Sequence, residues 1–133
     1  MMIPKPLDTR RARKRLVDRL DDLVGDICKD RDGRRCQWPG CVWSNTVLNC
    51  CHFKGRAKMS LRWDLDNVIT FCVGHHRYTE RNANEFVDFM QKRLGKERYE
   101  RLLMRNNLYF KTDLSNLTLL HRSLLLTNPE RTP

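Results

Sequence analysis

Leu16, Leu20, Leu23, Val24 and Ile27 recur at helical spacing, which predicts one helix over about residues 9–29. Residues 1–9 hold two prolines and read as a loose arm. Residues 30–46, with their Gly and Pro, read as a loop. Val47 to Phe53 has strand composition, and Val68 to Cys72 is a second short apolar run. Between them 54–66 is a basic, then acidic, loop. A helix is expected from about His75 or His76, breaking near Arg81 to Asn84. Asn82 with Glu85 three residues on fits a capping box for the next helix, whose apolar positions are Phe86, Phe89, Met90 and Leu94. Gly95 ends that helix, and another follows from about Lys96 to Arg105, with Tyr99, Leu102 and Leu103 inward. Thr112 or Asp113 can cap a last helix with Leu114, Leu117, Leu120 and Leu124 on one face, and Pro129 stops it. The expected class is α+β, mostly helical, with a long N-terminal helix, a small two-stranded centre and C-terminal helices.

Charge changes the picture next. The 133 residues carry a formal net charge of +10. Five basic side chains occupy the six positions of RRARKR, residues 10–15. Basic charge at a helix N-terminus opposes the macrodipole, so phosphate contact is the reading that gives this run a purpose. DNA is the expected partner. No apolar run approaches the ~18 residues of a membrane span, and the N-terminus lacks the apolar stretch of a signal peptide. No membrane partner is expected, and a cytoplasmic location is.

Thiols stay reduced in that compartment, so six clustered cysteines point to metal before disulfides. Cys36 and Cys41 flank the turn CQWPGC, and Cys72 with His75 follows in CVGH. Two such pairs make a Cys3His set suited to one tetrahedral structural zinc. His76 in place of His75 is the alternative register. Cys28 and Cys50 read as packing residues of a helix and a strand. Trp38, Trp43 and Trp63 read as packing for a small domain, with base stacking an alternative for Trp63.

Between the two knuckle halves lies CHFKGR, then Asn67, and His76 follows the second half. KDRDGRRCQWPGC, CHFKGR, LRWDLDNVITFC and NEFVDFMQKRLGKERYERL together resemble the HNH (ββα-metal) endonucleases, and most of all phage recombination endonucleases of the NinG (Rap) type. The resemblance runs from about residue 20 to 105. It departs from the family in the four-residue spacing of the first pair, in His75 where a cysteine is usual, and in Cys51 where many members place a metal-binding Asp or His. It implies a zinc-stapled ββα-metal core over 30–94, between a basic arm and helix over 1–29 and C-terminal helices over 95–133, all one structural domain.

The resemblance also implies an activity: hydrolysis of phosphodiester bonds in branched or recombining phage DNA. His52 would be the general base, His76 would hold a catalytic Mg2+ or Mn2+, and Asn67 would fix the hairpin and orient His52. A further carboxylate such as Asp64 or Asp66 could complete the ion's ligands. Arg10, Arg11, Arg13, Lys54, Arg56, Arg62, Arg77 and Arg81 are the expected DNA contacts, with Lys58 in the same loop. The competing reading is a zinc-knuckle DNA-binding protein without catalysis. Seven leucines between Leu114 and Leu126 exceed one helical face and allow a homodimer through the C-terminal helix.

The charge reading makes a direct prediction. DNA affinity should fall steeply with salt, and neutralising Arg10, Arg11 and Arg13 together should flatten the log–log slope by up to about three units. A binding constant indifferent to salt would rule out phosphate contact.

Overall fold

The computed structural model describes residues 3, 8–42 and 47–127. The arm before residue 8, Trp43 and Pro129 therefore lie outside the described residues, Ile3 excepted. The elements are α1 (Thr9–Arg31), β1 (Leu48–His52), β2 (Val68–Cys72), α2 (Val73–Arg81), α3 (Ala83–Leu94), α4 (Lys96–Asn106) and α5 (Leu114–Leu126). A 3-10 turn, Leu65–Asn67, leads into β2. The chain is α+β and mostly helical, as the pattern predicts. Among the described residues no helix is long and apolar enough to cross a membrane.

The chain divides into two compact units, Val24–Phe110 and the two ends up to Leu23 and from Lys111. This partition differs from the segments expected from sequence: α4 belongs with the cysteine-bearing unit, and one boundary falls inside α1. In the terminal unit, Leu16, Leu20, Leu23, Leu117 and Leu124 are buried. There Arg13 donates to the backbone oxygen and the hydroxyl of Thr112, both at 2.9 Å. Asp113 caps α5, its carboxylate accepting from Asn116 N–H at 2.9 Å. Leu119 and Leu126 stay exposed.

In the larger unit the apolar stripe of α1 continues through Val24, Ile27 and Cys28, all buried. The helix then stops on a Schellman turn. Gly33 donates to Asp30 O and Arg34 to Lys29 O, with both residues at positive φ. β1 and β2 pair antiparallel, Leu48 opposite Cys72 and His52 opposite Val68. Every residue of β2 is buried, because both faces of the hairpin are covered. Asn49, Cys51, Ile69 and Phe71 share one face by alternation. Cys51, Ile69 and Phe71 join Leu61, Phe86, Met90, Leu94, Tyr99 and Leu102 in one core. The other face presents Cys50 and Thr70, which meet Cys28 of α1.

Two local expectations change. α2 begins at Val73, ahead of the histidines, because Cys72 is its N-cap: its Sγ accepts from His75 N–H at 3.4 Å. The Asn82–Glu85 capping box does not form. Asn82 still stands at the N-cap position of α3, its backbone oxygen accepting from Phe86 N–H at 3.1 Å, but its side-chain amide turns back to Tyr78 O at 2.8 Å and satisfies one of the last carbonyls of α2.

Asp32 ties the larger unit together. Its side chain is 1% exposed and takes the guanidiniums of Arg31 and Arg93 together with the Thr70 N–H. Burial alone would raise its carboxyl, but Arg31, the Thr70 N–H and Arg93 outweigh that and hold it below its ordinary 3.8. A depressed carboxyl contributes stability that is complete above its unfolded value and lost as pH falls through the folded one. Stability should therefore decline on acidification below about pH 4. Asp32→Asn should cost about 3 kcal/mol, the low end for breaking a buried ion pair, since both arginines keep some solvent. It should also flatten that decline. An acid limb unchanged in Asp32→Asn, followed by denaturant unfolding, would assign it to other carboxylates.

Candidate functional site

Gly40 shapes the first half of the candidate metal centre. Trp38–Pro39–Gly40–Cys41 closes through Cys41 N–H to Trp38 O at 3.1 Å, and Gly40 has φ 76. Pro then Gly at positive φ is the chemistry of a type II turn, and it folds Cys41 back toward Cys36. Gln37 N–H donates to Thr70 O at 2.9 Å, which hangs this turn on β2. The second half is the end of β2 itself, where Cys72 caps α2 and His75 sits in the first turn.

These pieces bring Cys36, Cys41, Cys72 and His75 together, with their donor atoms within 4.8 Å of one another. His75 Nδ1 lies 3.4 Å from Cys36 Sγ and 3.3 Å from Cys72 Sγ, and Cys41 Sγ lies 4.0 Å from Cys72 Sγ. A tetrahedral zinc with Zn–S near 2.3 Å would set its sulfurs about 3.8 Å apart, so this group can hold a zinc ion. The register is His75, not His76. Trp38 stacks on the His75 ring at 5.7 Å and on Phe89 at 5.5 Å, which fixes the imidazole plane from α3. Trp38 is thus a packing residue, as expected. Burial pushes the Cys36 thiol up to about 11. Cys72 moves down although burial opposes it, because the His75 N–H, the thiols of Cys36 and Cys41 and the Gly74 N–H favour its thiolate.

The hairpin carries a second set of polar residues. Asn67 is fully buried. Its Oδ1 accepts from Lys54 N–H at 2.8 Å, and its Nδ2 donates to Lys54 O and Leu61 O, both at 3.0 Å. One side chain thus clasps both ends of the loop 54–61. The next carbonyl, Arg62 O, takes the Nε2–H of His52 at 2.8 Å. A carbonyl only accepts, so the neutral ring carries its proton on Nε2 and its lone pair on Nδ1.

His76 lies on the other side of the hairpin. Asn49 Nδ2 stands 3.1 Å from His76 Nδ1, and His76 Nε2 stands 3.1 Å from Glu80 Oε1. Asn49 belongs by alternation to the face opposite His52. Glu80 was missed from sequence. Its only signal was the four-residue step from His76, which puts both on one helix face.

Cys51 is 1% exposed and packs in the core. Burial pushes its thiol up; its Sγ donates to Asn49 O at 3.6 Å and stands outside the Cys36, Cys41, Cys72 and His75 group. Asp64 and Asp66 are engaged by Arg105, and Asp66 also by Arg98. They hold α4 to the turn before β2.

The basic residues are dispersed. Arg10, Arg11, Arg13, Arg56, Lys58, Arg77 and Arg81 are exposed, while Lys54 and Arg62 are half-buried. Lys54 lies over the Phe53 ring at 5.0 Å and Arg62 over Trp63 at 5.5 Å. Trp63 is 4% exposed, so it packs and offers no face for base stacking.

No protein-family model matches the chain, and neither the curated proteins nor the solved structures contain a significant match to it.

The Cys3His geometry predicts about one zinc per chain by elemental analysis. Cys36→Ala should lose it and lower the melting temperature by about 10 °C or more, because a structural site adds its binding energy to folding. Folded protein free of zinc, with Cys36→Ala melting like the parent, would contradict the assignment.

Proposed function

We propose that this chain is a metal-dependent DNA endonuclease of the HNH type, its hairpin and α2 stapled by a structural zinc. One observation carries the reading. A buried Asn67 clasps the loop whose Arg62 carbonyl fixes the His52 ring, on a hairpin that runs directly into a helix bearing His76 and Glu80. A surface histidine with no task needs no such brace.

In this reading His52 is the general base. The Arg62 carbonyl holds its Nε2–H, so Nδ1 accepts the proton of the attacking water. Asn67 is a positioning residue, acting on His52 through the loop. His76 and Glu80 would hold Mg2+ or Mn2+. The exposed Glu80 carboxylate suits such an ion, and His76 would offer it Nε2 with the ring proton moved to Nδ1. When bound, the ion supplies charge stabilisation at the scissile phosphate. Turned to present its Oδ1, the Asn49 amide would accept that Nδ1–H, the outer support that ligating histidines usually have. The net charge of +10 and the exposed arginines supply phosphate grip along the duplex. Branched or recombining phage DNA as the substrate rests on the family resemblance alone.

A second reading, a zinc-stapled DNA-binding protein without catalysis, is favoured by two features. Asn49, which holds His76, lies on the strand face opposite His52, so the hairpin does not by itself bring the base and the ion ligands to one phosphate. Cys51 occupies the place of a metal-binding side chain and is sealed in the core.

Cleavage of plasmid and branched DNA with Mg2+, Mn2+ or EDTA separates the two. His52→Ala should lose about 10²–10⁴-fold in rate with zinc content and DNA affinity intact. His76→Ala should also lose activity, with partial rescue by excess metal. Salt-sensitive binding without cleavage under any divalent ion would establish the second reading, and a His52→Ala variant as fast as the parent would remove His52 from the site.

A further inference from the structure

A recess of about 260 Å³ in the larger unit is walled by Arg31, Arg93, Arg98 and Asp66, with Val68 and Leu94 also lining it. Three guanidiniums in one small hollow exclude a cation as occupant and make an apolar one costly. Each is held in place. Arg31 donates to Leu65 O at 2.6 Å and Val68 O at 2.7 Å. Arg93 donates to Gln37 and Asp32, and Arg98 to Asp66.

Asp32 and Asp66 orient these groups without cancelling them. Three permanent cations face two carboxylates, and counting Arg105 with Asp64 leaves the same single excess positive charge. Donors also remain. Among the described residues Arg98 engages only Nη2, and Arg93 only its two Nη atoms. The Nε–H of each and the Nη1 of Arg98 keep their hydrogens for another acceptor. Guanidinium forks fixed in this way match the oxygens of a phosphate. The volume equals about nine waters at about 30 Å³ each, ample for a phosphate group.

We infer that this recess binds a phosphate oxyanion through Arg93 and Arg98, with Arg31 completing its positive wall. Val68 is the register partner of His52, so the recess adjoins the strand end that carries the proposed base. Under the nuclease reading the phosphate is a backbone phosphodiester of the bound strand. Without it the same chemistry takes a free phosphate. The source of the phosphate rests on that reading, and the oxyanion site does not.

The test titrates the full chain with inorganic phosphate at constant ionic strength, following the arginine Nε–Hε resonances. Saturable shifts at Arg93 and Arg98 are expected in the millimolar range. Arg98→Gln should weaken the affinity about tenfold, while Arg101→Gln, on the same helix and exposed, should leave it unchanged. If Arg98→Gln fails to fold, Arg98→Lys keeps the charge, loses the fork and should give a smaller loss. Oligonucleotide binding then separates the sources. A salt slope flatter by about one unit in the Arg98 variant identifies a backbone phosphate. An unchanged slope with weakened inorganic phosphate identifies a free one. Shifts that never saturate, or that are equal in parent and Arg98 variant, overturn the proposal and leave the His52 cleavage test untouched.

Discussion

Closure of four side chains onto one point sets the geometry of the larger unit. Cys36 and Cys41 come from a loop with no strand or helix of its own, whereas Cys72 and His75 come from the joint between β2 and α2. Thiols this close repel one another once ionised, and burial already resists the charge at Cys36. A divalent cation resolves that conflict, because it stabilises thiolates the protein interior would otherwise reject. Cys72 joins two tasks in one atom: its sulfur belongs to the donor set and caps the helix that carries His76. The orientation of the proposed catalytic helix is thereby coupled to the Cys3His cluster. The stack of His75, Trp38 and Phe89 extends the coupling to α3.

The hairpin uses its two faces differently. One is apolar and packs on α3 and α4, and the other meets the C-terminal half of α1. The polar groups lie at the margins: His52 at the end of β1, Asn49 beside α2, Asn67 inside the loop turn. Asn67 has all its amide hydrogen-bonding partners on backbone. Its role is therefore to hold shape, and the functional consequence passes through the Arg62 carbonyl to His52. In the proposed mechanism the base is as well placed as the loop is rigid.

Much of this was legible in the chain. The α1 stripe, the β2 run and the Gly95 break follow from spacing and backbone freedom, both local properties. The two cysteine turns were readable because Pro-Gly and a four-residue metal spacing each have a mechanical meaning. The ligand register was less accessible, since His75 and His76 are adjacent and only the cap at Cys72 chooses between them. Asn82 starts α3 as its position suggests, but it also ends α2, and its side chain turns to the Tyr78 carbonyl instead of capping the helix that follows. Asp32 with Arg31 and Arg93, and the recess they border, could not be read. Their partners lie up to 61 residues apart and share no periodicity. The division inside α1 was equally hidden, since the helical pattern runs through it without a break. Cys51 was ambiguous for a different reason: a thiol is both a metal ligand and a small hydrophobe, and only burial decides.

The central claim is that one ion at the Cys3His centre holds the knuckle, the hairpin and the start of α2 as a single cooperative piece. Amide hydrogen exchange on the full chain before and after complete removal of zinc by a chelator tests it directly. The claim predicts that the N–H groups of Gln37, Phe53, Asn67 and His75 lose protection together, while amides of α4 change less. Retention of their protection in metal-free protein would show that packing alone sets this geometry and would contradict the account.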